Sequence, residues 1–216
     1  MKKDISKFLK MRKNKMWLII DPTGPLSGFA AAKGKVVLGS KIFKSQSLFE
    51  NLLEIRSFFK NLNRDIDNLE GVILVNGPGS IMGLRIAFSW VKGFFSKKKL
   101  HFKVVSSLDA LWFSVGKRKP CWTMIKSVRG EVFFSFNGSF PELAKKSEIL
   151  EKISLNPGLC VGDFPEEVLK IEKVKTFERV LPQFEAVWAF SSSIKERDIY
   201  KTEPLILYSF PGQNIE

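Results

Sequence analysis

A chain of 216 residues with 44% apolar residues can bury a sizeable core, as one domain or as two small lobes. Two cysteines, Cys121 and Cys160, and a single histidine, His101, are too few and too scattered for a zinc site, and so low a cysteine usage suits a reducing compartment. The net charge of +13 is uneven: residues 1–15 hold seven Lys/Arg against one Asp, and Lys97–Lys99 and Lys117–Lys119 form short basic clusters, a pattern suited to a polyanion such as RNA.

In chain order, the basic opening meets an apolar run, Met16–Ile20, of only five residues. A secretory h-region needs roughly 7–15 and a membrane span ~20, so the chain is expected in the cytoplasm, away from membranes. Met16–Asp21 is predicted as a first strand, followed by Ser27–Lys33 and Lys35–Phe43 as a hairpin about Gly34. Ser47–Lys60 has helical periodicity, with Leu48, Leu52, Ile55 and Phe59 on one stripe and Phe49 and Leu53 beside them. Gly71–Val75 is apolar and β-branched, as a strand buried on both faces should be. Gly77-Pro78-Gly79 breaks it, and Ser80 stands at the N-cap of a helix over Ile81–Phe95. That helix is apolar nearly all round: Ile86, Trp90 and Phe94 follow one face, and Leu84, Phe88, Val91 and Phe95 another. Either its own domain buries both faces, or a partner covers the second, with Gly83 and Ala87 admitting a close neighbour.

Phe102–Val105 is a further strand, and Ser106 caps a helix through Val115 with Asp109 at or near the capping-box position. Gly116–Pro120 reads as a boundary. Beyond it come a hairpin of Cys121–Val128 and Glu131–Asn137, a helix near Pro141–Ile153, a strand at Leu159–Gly162, a helix from Pro165, another near Phe184–Lys195, and a closing strand at Pro204–Ser209. No internal repeat stands out. The expected division is a basic extension, 1–15, an N-terminal lobe, 16–117, and a C-terminal lobe, 118–216. Three meandering strands followed by alternating helices and strands match the α/β ribonuclease-H-like core shared by actin, hexokinase and related kinases, the ASKHA fold.

The chemistry of that fold reads as degenerate. The Gly77–Gly83 loop misses the P-loop pattern, because Leu84 and Arg85 follow Gly83 where Lys-Ser/Thr belongs, and it misses G-x-G-x-x-G by one residue. Arg85 is read as salt-bridging in preference to phosphate-binding. A two-metal nuclease needs carboxylates on strand one, helix one and strand four. Asp21 and Glu50 or Glu54 supply two of these, but strand four ends in the neutral Asn76. The turn after strand one, "DPTGPLSG", loses two N–H groups to Pro22 and Pro25, and Asp21 before Pro22 is read as a turn initiator. No catalytic, cofactor-binding or metal-binding residue is therefore assigned.

The segment "VNGPGSIMGLRIAFSWVKGF" resembles the V-G-P-G-S-F-T-G-L-R-I-G…K-G signature of the TsaB (YeaZ) family, through Gly77, Pro78, Gly79, Ser80, Gly83, Leu84, Arg85, Ile86, Lys92 and Gly93. "VVSSLDALW", "SVRGEVFFSFNG" and "EPLILYS" resemble the family's V-x-S-L-x-A-L, D-A-R-x-x-E-V-Y and P-x-Y-L-R stretches. The family's I-D-T-S opening reads Ile20-Asp21-Pro22-Thr23 here, its H-S-E is Lys44-Ser45-Gln46, and the aspartate of D-A-R is Ser127. The resemblance implies a non-catalytic subunit of the machinery making threonylcarbamoyladenosine in tRNA, with tRNA reached through the complex. It implies pairing through the first two helices with a TsaD-like transferase, or with a second copy of the chain, and a TsaE-like ATPase joining them. ATP and metal are expected on those partners and no cofactor on this chain. Leu48, Leu52, Ile55, Met82, Gly83, Ala87 and Trp90 are the expected partner contacts, and Gly77, Pro78, Gly79, Ser80 and Arg85 the motif loop. The alternatives are a kinase-like ATP-binding enzyme of the actin/hexokinase superfamily and a basic RNA-binding module.

Overall fold

The computed structural model describes residues 16–127, 130–178 and 182–202. Its first sheet is built on β1 (Met16–Asp21), all six of whose residues are buried. β2 (Leu26–Lys33) and β3 (Val36–Lys44) meander antiparallel from one edge of β1. β4 (Leu69–Val75) and β5 (His101–Val105) add in parallel on the other, in the order β3-β2-β1-β4-β5. Alternation along the strands sends Leu18, Ile20, Phe29, Val72 and Leu74 to one face of the sheet and Trp17, Ile19, Ala30, Ile73 and Val75 to the other.

The first face is covered by α1 (Leu48–Leu53), α2 (Ile55–Asn61) and α3 (Ile81–Phe94). The single helix expected over Ser47–Lys60 is thus two, with Glu54 between them outside helical geometry and its carboxylate 2.7 Å from Lys41 Nζ. The caps follow the sequence reading. Ser80 Oγ accepts from Gly83 N at 3.1 Å, and Ser106 Oγ accepts from Asp109 N at 2.9 Å.

α4 (Ser107–Ser114) joins the lobes, and its composition fits that place. Ala110 and Phe113 pack under the first sheet, while Leu108 and Leu111 pack on the second lobe with Cys121 and Val161. A short helix buried from both sides has no reason to be amphipathic.

The second sheet contains β6 (Cys121–Lys126), β7 (Glu131–Phe136), β8 (Glu142–Lys145), β9 (Leu159–Gly162) and β10 (Lys175–Glu178). Its order is β8-β7-β6-β9-β10, with antiparallel β6/β7 and β7/β8 and parallel β6/β9 and β9/β10. This is the strand order of the first sheet repeated, although no sequence repeat announces it. Glu142–Lys145, expected within a helix, is an edge strand, because Leu143 and Ala144 pair with Phe133 and Val132. Helix α5 (Lys146–Leu155) starts only after it and buries Ile149 and Ile153 on this sheet. The segment from Pro165 is a 3₁₀ turn, Glu166–Lys170.

The helix expected near Phe184–Lys195 is shorter: α6 is Phe184–Ala189, followed by a 3₁₀ turn over Ser191–Ser193. It comes after the second sheet in the chain, yet Phe184, Val187 and Trp188 pack beneath the first. The strand expected at Pro204–Ser209, the basic extension and Arg129 lie outside the described residues. No described helix is long and apolar enough to cross a membrane. The chain is therefore a two-lobed ribonuclease-H-like, actin-like fold.

Candidate functional site: a closed glycine loop and an apolar helix face

The loop Gly77–Ser80 leaves the C-terminal end of β4 and is pinned from two sides. Ser80 N donates to Thr23 O at 2.9 Å, tying the loop to the β1–β2 turn. Ser107 N donates to Gly77 O at 2.7 Å and Ser107 Oγ to Pro78 O at 2.6 Å, tying it to the start of α4. The Gly77–Pro78 peptide is cis. The glycines of the motif serve this closure. A Cβ on Gly79 would fall on the Thr23 carbonyl and 2.7 Å from Thr23 Cβ, and one on Gly83 would fall on the Pro22 carbonyl. The space a phosphate would need at the start of α3 is filled by main-chain carbonyl oxygens, which repel an anion.

Asp21, at the end of β1, is equally committed. Its Oδ1 accepts from Thr23 N at 3.0 Å and Thr23 Oγ1 at 2.6 Å, the turn-initiating role read from the sequence. Burial pushes its carboxyl above the ordinary value of 3.8, against the Thr23 bonds that pull it down. Asn76 is buried at the end of β4, its N–H donating to Val105 O at 2.8 Å. Glu50 is exposed, and Glu54 is engaged by Lys41. Among the described residues no three His, Cys, Asp or Glu side chains group as metal ligands would. A magnesium–nucleotide, which this fold holds in kinases, does not fit these residues. The turn has lost donors to proline, carbonyls occupy the anion position, and one carboxylate is an amide.

Asp21 offers a direct test of this assignment. A carboxyl whose folded value is raised contributes stability that is complete below the unfolded value of 3.8 and is lost as pH rises through the folded one. Asn at this position keeps an oxygen to accept the Thr23 bonds and never ionises. Asp21→Asn is expected to melt above the wild type at pH 8, the gap closing as pH falls toward 4. Thermal melts across that range check it, and a variant less stable than wild type at pH 8 would require the carboxylate charge itself.

Other reactive candidates are quiet. Cys121 and Cys160 are free and buried, and burial pushes their thiols up to about 11 and about 12, away from the nucleophilic thiolate. His101 is exposed on β5, with Nδ1 3.1 Å from Glu196 Oε2 and no serine or cysteine bonded to it. Arg85, expected to bridge, is exposed and forms no ion pair among the described residues.

The surface over α1 and α3 is the apolar feature of this lobe. The expected contact residues Leu48, Leu52, Ile55, Gly83 and Ala87 are buried against the chain's own sheet, so that stripe is internal core. The faces turned outward carry Phe49, Leu53 and Met82, exposed by 51%, 63% and 67%. Half-buried Ile86 and Trp90 continue the stripe along α3, Trp90 stacking on Phe94 at 4.5 Å. Three large exposed apolar side chains on two adjoining helices exceed the scatter of an ordinary surface. Of the seven expected contacts only Met82 and Trp90 reach this face. Phe49 and Leu53 are legible in the sequence as a second stripe beside the core one.

A two-lobed actin-like fold with a closed glycine loop is thus the class of protein that these residues define. Residues 46–190 match the family model of TsaD, tRNA N6-adenosine threonylcarbamoyltransferase, and with more than half of its length matched the chain belongs to that family. Among solved structures, it superposes on YeaZ from Pseudomonas aeruginosa with a TM-score of 0.70 at 15% identity, covering 89% of this chain and 100% of that one. A second Pseudomonas aeruginosa structure, an uncharacterized protein with similarity to peptidase YEAZ, gives a TM-score of 0.71 at 14% identity, covering 90% and 100%. These likenesses establish a YeaZ-like fold. No curated protein sequence matches the chain.

Proposed function

We propose that the chain is a non-catalytic, TsaB-like subunit of the machinery that makes threonylcarbamoyladenosine in tRNA. It docks the outer faces of α1 and α3 on the corresponding helices of a TsaD-like transferase. The observation that carries this reading is the exposed Phe49, Leu53 and Met82 face set beside a glycine loop whose anion position is closed. Membership of the TsaD family supports the tRNA setting, and the YeaZ-like fold supports the subunit. Chemistry then resides on the partners, with the transferase and a TsaE-like ATPase supplying nucleotide and metal. The helix face also serves a second copy of the chain when the transferase is absent.

The test is reconstitution with the TsaD-family transferase of the same cell, read by size-exclusion chromatography and by formation of the modified nucleoside. A joint complex, with no metal- or ATP-dependent turnover by the pure chain, is expected. Turnover by the pure chain that Asp21→Ala abolishes would overturn the reading.

The basic extension bears on the tRNA step. Residues 1–15 supply +6 of the net +13. If they contact phosphate in the assembled complex, their deletion flattens the salt dependence of tRNA affinity by about 2–4 units of slope. Pairing with the transferase is unaffected, since the helix face lies elsewhere. Equal slopes for full-length and truncated complexes would show that the extension does not touch RNA.

A further inference from the structure

Alongside α4 the described residues enclose a cleft of about 510 Å³, within the range of small-ligand sites. It is distinct from the closed loop, since neither Asp21 nor Thr23 lines it. Four separate stretches of chain meet there: the ends of β4 and β5, one face of α4, the β7–β8 turn and the Ser193–Arg197 segment.

Its walls combine three kinds of group. Trp112 is held in place by its Nε1–H donating to Arg118 O at 2.8 Å and by Gly138 lying against the ring. Phe140, across the cleft on the β7–β8 turn, is 71% exposed, a large apolar ring presented to solvent. Lys195 and Arg197 line the opposite side, exposed and without an ion pair among the described residues. Lys117 adds a third cation, its Nζ lying 4.6 Å from the Phe113 centroid and 4.9 Å from that of Phe190. Asn76 and Asp109 place an amide and a carboxyl in the lining.

A plain anion would need the cations but not the rings. A hydrophobic ligand would use the rings but strand Asn76, Asp109 and the cations. A flat, hydrogen-bonding heterocycle joined to a phosphate uses all three, the ring stacking on an aromatic side chain while the cations neutralise the charge. We propose that this cleft binds a nucleotide unit, its base against Phe140 and its phosphate between Lys195 and Arg197. The unit is either a free nucleotide or an unpaired nucleotide of an RNA strand; the chemistry is shared. The proposal rests on the cleft alone and not on pairing with a transferase.

The full-length chain is titrated at low salt with fluorescent AMP and, separately, with a fluorescent eight-residue oligoadenylate RNA. The wild type is compared with Phe140→Ala, with Lys195→Glu/Arg197→Glu, and with Lys97→Glu/Lys99→Glu as a control of equal charge. All five positions are exposed, and circular dichroism confirms that each variant is folded. Both cleft variants are expected to bind about tenfold or more weakly, the loss of one stacked base or of two phosphate contacts, with the control losing far less. Binding of AMP itself identifies a free nucleotide, and binding of the RNA alone identifies a strand. The proposal fails if neither probe binds, if Phe140→Ala binds as the wild type does, or if the Lys97/Lys99 control falls as far as the cleft variants.

Discussion

Arginine at Ala87 will unfold the isolated chain, whereas aspartate at Leu53 and Met82 will leave it folded and cost it its partner. Ala87 is fully buried, packed with Leu18, Leu52 and Val91 between α3 and the first sheet. A guanidinium there has no carboxylate to meet, and an uncompensated buried charge costs about 3–5 kcal/mol. That is a large share of the roughly 5–15 kcal/mol that holds a domain together. Leu53 and Met82 are mostly exposed, and substitutions of that kind move stability by about 0.5 kcal/mol or less. In an apolar seam the same carboxylates lose water without gaining a partner, which weakens association by about tenfold or more for each. Circular dichroism melts and size-exclusion chromatography with the TsaD-family transferase separate the outcomes. A Leu53→Asp/Met82→Asp chain that still pairs with wild-type affinity would remove α1 and α3 from the interface. A folded Ala87→Arg chain would remove Ala87 from the core.

That division between stripes is what periodicity alone does not decide. The sequence pattern of Ile81–Phe94 shows two apolar stripes, and either could face the sheet. The structure buries Leu84, Ala87, Phe88 and Val91 and leaves Ile86 and Trp90 half-covered. On α1 and α2 the better-formed stripe, Leu48, Leu52, Ile55 and Phe59, is the internal one. A chain satisfies its own core first, so the most regular stripe is the wrong place to look for a partner. Strands β1 to β5 are legible because each is a short apolar run bounded by turn chemistry, and the serine caps because their bonds are local. β8 is not, since Glu142, Leu143, Ala144 and Lys145 all favour helix and only pairing with β7 overrides them. β10 is a polar edge strand, Lys175–Glu178, recognisable by its pairing with β9 and not by its residues. The cleft beside α4 draws on four distant stretches, so no local pattern foretells it.

The glycines of the motif loop are legible as a motif but not as a mechanism, because what they meet lies in the β1–β2 turn. Replacing Gly83 by alanine drives a methyl into the Pro22 carbonyl, and replacing Gly79 drives one into the Thr23 carbonyl. Neither obstacle is a flexible side-chain end. Both belong to a turn fixed by Asp21 and by the bond from Ser80 N to Thr23 O. Overpacking against such a wall costs about 1–3 kcal/mol, which in a chain of this size lowers the melting temperature by roughly 2–4 °C per kcal/mol. Gly93 supplies the internal control. It sits on the same helix, exposed, and a methyl there would meet nothing within 4 Å. Alanine at this position removes a glycine from a helix interior and is expected to stabilise by about 0.5–1 kcal/mol. Two Gly→Ala changes on one helix should therefore shift the melting temperature in opposite directions. Because Met82 directly precedes Gly83, the Gly83→Ala change should also weaken pairing with the transferase beyond its effect on stability. An unchanged melting temperature in Gly83→Ala would mean that the Pro22 carbonyl does not close the loop, and the start of α3 would then be open to an anion after all.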